Sequence, residues 1–178
     1  MALRVVQWTT GNVGKCSMRA VVAHPDLELV GCYVWSAEKA GRDVGELGGI
    51  DAVGITATSD IDALLALRPD CIVYNPMWQN VEELVRILES GANVVSTAAF
   101  INGQNLGADR DRIAAACERG RSSMQKGHDT AMTSGLVSRA CSVLRTFTRL
   151  SGSSSIHMTA SVKSGCETHT FEIGRAHV

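Results

Sequence analysis

The sequence predicts an α/β fold: a parallel sheet with helices on both faces. Three observations lead there. Apolar runs of strand length alternate with segments of helical periodicity over the first two thirds of the 178 residues, the pattern of successive βαβ units. A glycine-bearing turn joins the first strand to the first helix. A content of 45% hydrophobic and 20% charged residues suits a domain with a packed core.

Residues 3–8 (LRVVQW) read as the first strand and 12–23 as the first helix, which stops ahead of His24-Pro25. A second strand spans 28–35 (ELVGCYVW), and a short third spans 54–58. Asp60 is placed to cap a short helix with Ile61, Leu64 and Leu65 on one face. Residues 70–75 (DCIVYN) form a buried strand. The clearest helix is 80–90: Val81, Leu84, Val85 and Leu88 follow the i, i+3, i+4, i+7 rule, and Gly91 serves as its C-cap. Residues 93–97 (NVVST) form the next strand, 107–119 a helix with Ile113, Ala116 and Cys117 inward, and 122–124 open a further strand. Right-handed crossovers make such strands parallel. Ligands of these sheets lie beyond the carboxyl ends of the strands, which here are residues 9–14, 35–39, 75–78 and 97–100.

The stretch Thr9-Thr10-Gly11-Asn12-Val13-Gly14 fits two of the three glycines of the G-x-G-x-x-G pattern, with Thr9 in place of the first. Gly11 admits a phosphate close to the backbone, and Gly14 lets the helix pack tightly on the strand. The helix N-terminus supplies unpaired N–H groups and a positive dipole end. The position of the motif between a strand and a helix is the context that a dinucleotide site requires. An ordinary βα turn is the plain alternative.

Net charge is −1, which gives no pull toward nucleic acid or a membrane surface. The six cysteines are scattered, without a C-x-x-C pair. With no signal peptide ahead of Leu3 and no apolar run of membrane-span length, the chain is expected to be cytoplasmic, its thiols reduced. Cysteine and histidine do not recur at metal-ligand spacing, so no metal is expected. No G-x-S-x-G elbow or other catalytic constellation stands out, and no catalytic residue is assigned.

The character changes after Met124. All three prolines lie before it, and four of the five histidines lie after it. Serine and threonine become frequent and periodicity fades. The last seven residues, EIGRAHV, match the conceptual translation of a common short-read sequencing adapter. The expected division is therefore a dinucleotide-binding domain over 1–124 and a segment over 125–171 that is frameshifted, chimeric or a remnant of a substrate domain. Adapter read-through would account for 172–178.

At the end of the second strand, an Asp or Glu would bind the adenosine ribose of NAD. The segment here is Trp35-Ser36-Ala37-Glu38-Lys39, with Arg42 beyond. Ser36, Lys39 and Arg42 suit a 2′-phosphate and favour NADP slightly, whereas Glu38 serves NAD, and plain surface charge is the alternative for Lys39 and Arg42. Asn75-Pro76-Met77-Trp78 follows a buried strand: Pro76 stiffens the turn, and Trp78 suits either a place beside a nicotinamide or a cleft cover. Thr97-Ala98-Ala99-Phe100 follows the next strand, with small side chains that let a flat ring approach.

Residues 1–124 resemble the N-terminal domain of the dihydrodipicolinate-reductase-like oxidoreductases, in the branch of 2,4-diaminopentanoate dehydrogenase and the native amine dehydrogenases. The residues that carry the resemblance are VVQWTTGNVG (5–14), VWS (34–36) with Lys39 and GRD (41–43), Asn75-Pro76, and ESGANVVST (89–97). The resemblance implies a Rossmann domain, NAD(P)H, a separate α+β substrate and dimerisation domain, and chains about twice this length. Two departures mark this sequence. Ala98-Ala99-Phe100 stands where the amine-active branch implies a carboxylate, and Gln125-Lys-Gly-His-Asp129 replaces a glycine-rich segment with an Asn-Pro-Gly turn.

The expected function is the cofactor domain of an NAD(P)-dependent oxidoreductase that transfers hydride to or from a C=N or C=O carbon. Thr10, Gly11, Asn12, Val13 and Gly14 would hold the pyrophosphate. Ser36 and Lys39 would take the adenosine ribose or its phosphate, and Asn75, Pro76, Thr97 and Ala98 would line the nicotinamide side. A small-molecule substrate and a homo-oligomer are implied by the family alone. The alternatives are a non-catalytic nucleotide-binding module, or an inactive fragment with an exposed sheet edge.

Overall fold

The structure is a computed structural model that describes residues 2–97, 106–126, 159–164 and 167–172. Its elements run β1 (Leu3–Trp8), α1 (Asn12–Ala23), β2 (Leu27–Tyr33), α2 (Val44–Gly48), α3 (Ile61–Ala66), β3 (Cys71–Tyr74), α4 (Val81–Glu89), β4 (Asn93–Ser96), α5 (Ala108–Gly120) and β5 (Met124–Lys126). Two further strands, β6 (Thr159–Ser164) and β7 (Glu167–Glu172), form an antiparallel pair of their own.

The main sheet has the order β2-β1-β3-β4-β5, and every pairing in it is parallel. The expected strand over 54–58 is corrected: it contributes only isolated bridges, Thr58 with Tyr33 and Thr56 with Asp43. Thr58 nonetheless sits where a strand would. Its N–H donates to the Cys32 carbonyl, and its own carbonyl accepts from Val34 N–H. If this rudiment is counted, the order becomes 3-2-1-4-5-6, which places the switch point between β1 and β3. The left-handed turn at Gly54 (φ +75°) and three backbone N–H groups gathered on the Asp43 carboxylate take the chain here. Those bonds compete with an extended ladder.

Side chains of the strands alternate between two cores. Val6, Trp8, Ile72, Tyr74 and Val94 face Leu64, Leu84, Ile87, Leu88, Ile113 and Ala116 of α3, α4 and α5. Leu3, Val5 and Val73 face Met18 and Val21 of α1 and Val44 and Leu47 of α2. The helices thus cover both faces, as expected from the sequence. Strand β2 has a register shift against β1 between Val5 and Val6, so that Val5 pairs with Leu29 and Val6 with Gly31. One extra residue inverts the alternation. Leu27 and Leu29 point to the α1 side before the shift, and Cys32 and Val34 after it.

Helix α4 begins where Asn80 accepts hydrogen bonds from the N–H groups of Glu82 and Glu83. Leu84, Ile87 and Leu88 are fully buried, each stabilising the fold by about 1.5–3 kcal/mol. The inward stripe differs by one position from the sequence expectation: Ile87 joins the buried set, while Val81 and Val85 are only partly covered. Helix α1 matches its expected span.

Candidate functional site

The carboxyl ends of β1 and β3 diverge at the switch point, and the turn after β1 lies there. Gly11 is the N-cap of α1; it has no capping side chain, and a Cβ built on it would meet nothing within 4 Å. The first turn of α1 contains no acidic residue. The helix therefore presents open backbone N–H groups and an uncompensated positive end. Gly11, Asn12 and Val13 are exposed.

Gly14 does the opposite. A Cβ there would lie 2.3 Å from the Thr9 carbonyl oxygen and 3.2 Å from Gln7 Nε2, so the absence of a side chain is what lets α1 close on β1. Thr9 itself has φ +78°, a left-handed conformation that is unusual for a β-branched residue. This is the position of the missing first glycine, and the backbone keeps the glycine-like geometry without the glycine. Thr9 is held by its N–H to Tyr33 carbonyl (2.9 Å) and by Gln7 Nε2 to its carbonyl (3.0 Å).

A polar network that is buried at Gln7 and Ser17 and reaches the surface at Thr97 sits beneath the turn. Gln7 is fully buried. Its amide donates to the carbonyls of Trp8 and Thr9 and to Asn75 Oδ1, and its oxygen accepts from Ser17 Oγ at 2.7 Å. Ser17 Oγ also lies 3.1 Å from Asn75 Oδ1, and Asn75 Nδ2 donates to Thr97 Oγ1 at 2.9 Å. One connected set of bonds thus joins β1, α1 and the ends of β3 and β4. Asn75 and Thr97, picked from sequence, are brought together. Gln7 and Ser17 were not picked; a lone amide inside the apolar run LRVVQW was the available signal.

Lys39 Nζ donates to Thr10 Oγ1 at 3.1 Å, which ties the segment after β2 to the glycine turn. Ser36 is half-buried, and its carbonyl accepts from the N–H groups of Lys39 and Ala40. Arg42 pairs with Glu46 on the surface, and Glu38 is exposed. Pro76 is buried, whereas Met77 and Trp78 are 76% and 71% exposed. Ala98 and Phe100 lie outside the described residues.

On the α4 face, Glu83 is buried amid aromatic groups. Its carboxylate accepts from Trp8 Nε1 (3.2 Å), Tyr74 hydroxyl (3.2 Å) and Trp35 Nε1 (3.5 Å). Trp8 stacks on Tyr33 with ring centroids 4.2 Å apart, and Trp35 meets Tyr33 edge-on at 6.1 Å. Burial and the Glu83 charge push the Tyr74 phenol above the ordinary tyrosine range, so it remains an O–H donor to Glu83. Burial pushes the Cys32 thiol up to about 12, so Cys32 is a core group and not a thiolate nucleophile. Among the described residues no three His, Cys, Asp or Glu side chains gather to hold a metal, and no helix is long and apolar enough to cross a membrane.

The sheet order, the two helical layers and the glycine turn at the switch point define a Rossmann-like α/β domain. Comparison with known proteins narrows the likeness. No protein-family model matches the chain. An amine dehydrogenase of Streptomyces virginiae is 43% identical over 104 residues, covering 55% of this chain and 29% of that protein. A 4-hydroxy-tetrahydrodipicolinate reductase of Synechococcus elongatus is 32% identical over 85 residues, covering 40% of this chain and 31% of that protein. The chain thus spans about three tenths of the length of these relatives. Among solved structures, amine dehydrogenase from Mycobacterium smegmatis superposes with a TM-score of 0.63 at 20% identity, over 70% of this chain and 38% of the other. GenD2 from gentamicin A biosynthesis, solved in complex with NAD, gives 0.54 at 17% identity, over 71% of this chain and 35% of the other. The resemblance read from the sequence, to amine dehydrogenases and dihydrodipicolinate-type reductases, stands in these matches.

Proposed function

We propose that residues 1–124 are the cofactor domain of an NAD(P)-dependent oxidoreductase that moves hydride to or from a C=N or C=O carbon. The observation that carries this reading is the open N-terminus of α1 at Gly11, close against β1 because Gly14 puts no side chain between the helix and the Thr9 carbonyl, at the switch point of the sheet. A side-chain-free cap over unpaired N–H groups suits a pyrophosphate. The similarity to proteins named amine dehydrogenase and 4-hydroxy-tetrahydrodipicolinate reductase, and to a structure solved with NAD, supports the same assignment.

Thr10, Gly11, Asn12, Val13 and Gly14 would hold the pyrophosphate. Ser36 and Lys39 would take the adenosine ribose; a hydroxyl and an ammonium there, with Glu38 turned to solvent, favour NADP(H) slightly over NAD(H). Asn75, Pro76, Thr97 and Ala98 would line the nicotinamide side, with Asn75 fixed by Gln7 and Ser17. The bound nicotinamide supplies the hydride chemistry; this domain binds and orients. The substrate and the assembly of copies belong to the longer protein that the relatives represent.

Titration of the full chain with NADPH and NADH, followed by cofactor fluorescence, tests the reading. Binding of NADPH with a preference that Lys39→Ala removes is the expected result; binding of neither dinucleotide would refute the assignment. Binding without turnover of an imine or ketone would favour a nucleotide-binding module.

A further inference from the structure

Glu83 is a carboxylate with 9% of its surface exposed, and among the described residues no cationic side chain forms an ion pair with it. Its charge is met instead by three neutral donors and by the N-terminal turn of α4. Two of those donors, Trp8 and Tyr74, are buried in the core and share Oε2. The third, Trp35, is 56% exposed, takes Oε1, and immediately precedes the segment 36–39. An apolar residue at position 83 would fill the core without holding Trp35. A carboxylate has the second oxygen needed to do both.

We infer that Glu83 is a positioning residue for the adenosine end of the site: from α4 it holds the Trp35 indole and so fixes where Ser36 and Lys39 begin. This rests on the cofactor reading above. The segment is then pinned at both ends, at Trp35 by Glu83 and at Lys39 by Thr10. The tie joins residues 48 positions apart in the chain.

Glu83→Gln separates the two roles. The single amide oxygen can serve the buried Trp8 and Tyr74 donors, which leaves the NH2 facing the Trp35 N–H, donor against donor. Trp35→Phe removes the same bond from the other side and keeps a ring. Isothermal titration of the full chain with ADP and, separately, with nicotinamide mononucleotide reads the outcome. Each variant is expected to weaken ADP by ~5-fold, the effect of one hydrogen bond, and to leave nicotinamide mononucleotide unchanged. The double variant is expected to be no worse than either single, because both remove one bond. ADP affinity equal to wild type in both singles, or losses that multiply in the double, would overturn the inference. So would equal weakening of both ligands, the mark of a general structural defect. If Glu83→Gln does not fold, Trp35→Phe decides alone. If the wild type binds neither ligand, the cofactor reading fails and takes this inference with it.

Discussion

The Thr9 carbonyl oxygen occupies the space that a Cβ on Gly14 would need, 2.3 Å from it. Helix α1 therefore approaches β1 more closely than any residue but glycine permits. Gly14→Ala must push the helix from the strand end or distort Thr9. A loss of about 1–3 kcal/mol is expected, the usual cost of overpacking a filled site, measured by denaturant unfolding. Gly11→Ala meets open space and is expected to cost little stability while weakening dinucleotide binding; the contrast between the two is the test.

Thr9 holds φ +78°, at a cost of about 1–2 kcal/mol for an L-residue with a side chain. Glycine removes that cost and adds about 0.5–1 kcal/mol of backbone entropy to the unfolded chain. Thr9→Gly is therefore expected to be neutral or stabilising by up to about 1.5 kcal/mol in chemical denaturation. A clear loss of stability would show that the Thr9 side chain matters more than its backbone strain.

Gln7 is fully buried, and so is its partner Ser17, at the inner end of a network that reaches half-buried Asn75 and exposed Thr97. Gln7→Leu keeps the volume but strips partners from Ser17, Asn75 and the Thr9 carbonyl. A loss of about 1–3 kcal/mol is expected, the cost of leaving a buried acceptor such as the Thr9 carbonyl without its donor; Ser17 keeps its bonds to Gly14 and Asn75. Thermal unfolding measures it. The same variant is expected to weaken dinucleotide binding beyond what stability explains, because Asn75 loses its tie to β1 and keeps only those to Ser17 and Thr97.

Asp43 accepts backbone N–H bonds from Val53, Gly45 and Gly54, and these hold its carboxyl below the ordinary value of 3.8. The sign follows from that direction. The stabilisation is fully present above the unfolded-state value and is lost as pH falls through the lower folded-state value. Asp43→Asn keeps one acceptor and loses the charge. Its melting temperature is expected to fall below wild type at neutral pH, with the gap closing as pH drops below about 4. A gap that stays constant with pH would contradict this account.

The glycine turn, helices α1, α3, α4 and α5 and most strand limits were legible locally, whereas the short helix α2 capped by Asp43 was not. Asp60 caps its helix as its position suggested, with a bond to Ala63; Asn80, expected inside the helix, is its cap, with bonds to Glu82 and Glu83. The strand over 54–58 was misjudged because Asp43, a loop residue, draws three backbone N–H groups to itself, and no period in 54–58 reveals that. The inward turn of Ile87 was missed because the helix meets both the sheet and α5.

The sequence by itself determined the class of fold and the place of the turn, because periodicity, caps and glycines act over a few residues. Only the tertiary structure decided what surrounds the turn. Ser17 meets Asn75 across 58 residues of chain, and Trp8 meets Glu83 across 75. Such contacts arise when parallel strands align their carboxyl ends, so they follow from the order and register of the sheet. No local pattern encodes them, so Gly11, Gly14 and Asn75 are marked by sequence alone, whereas the roles of Gln7, Ser17 and Glu83 exist only in the folded sheet.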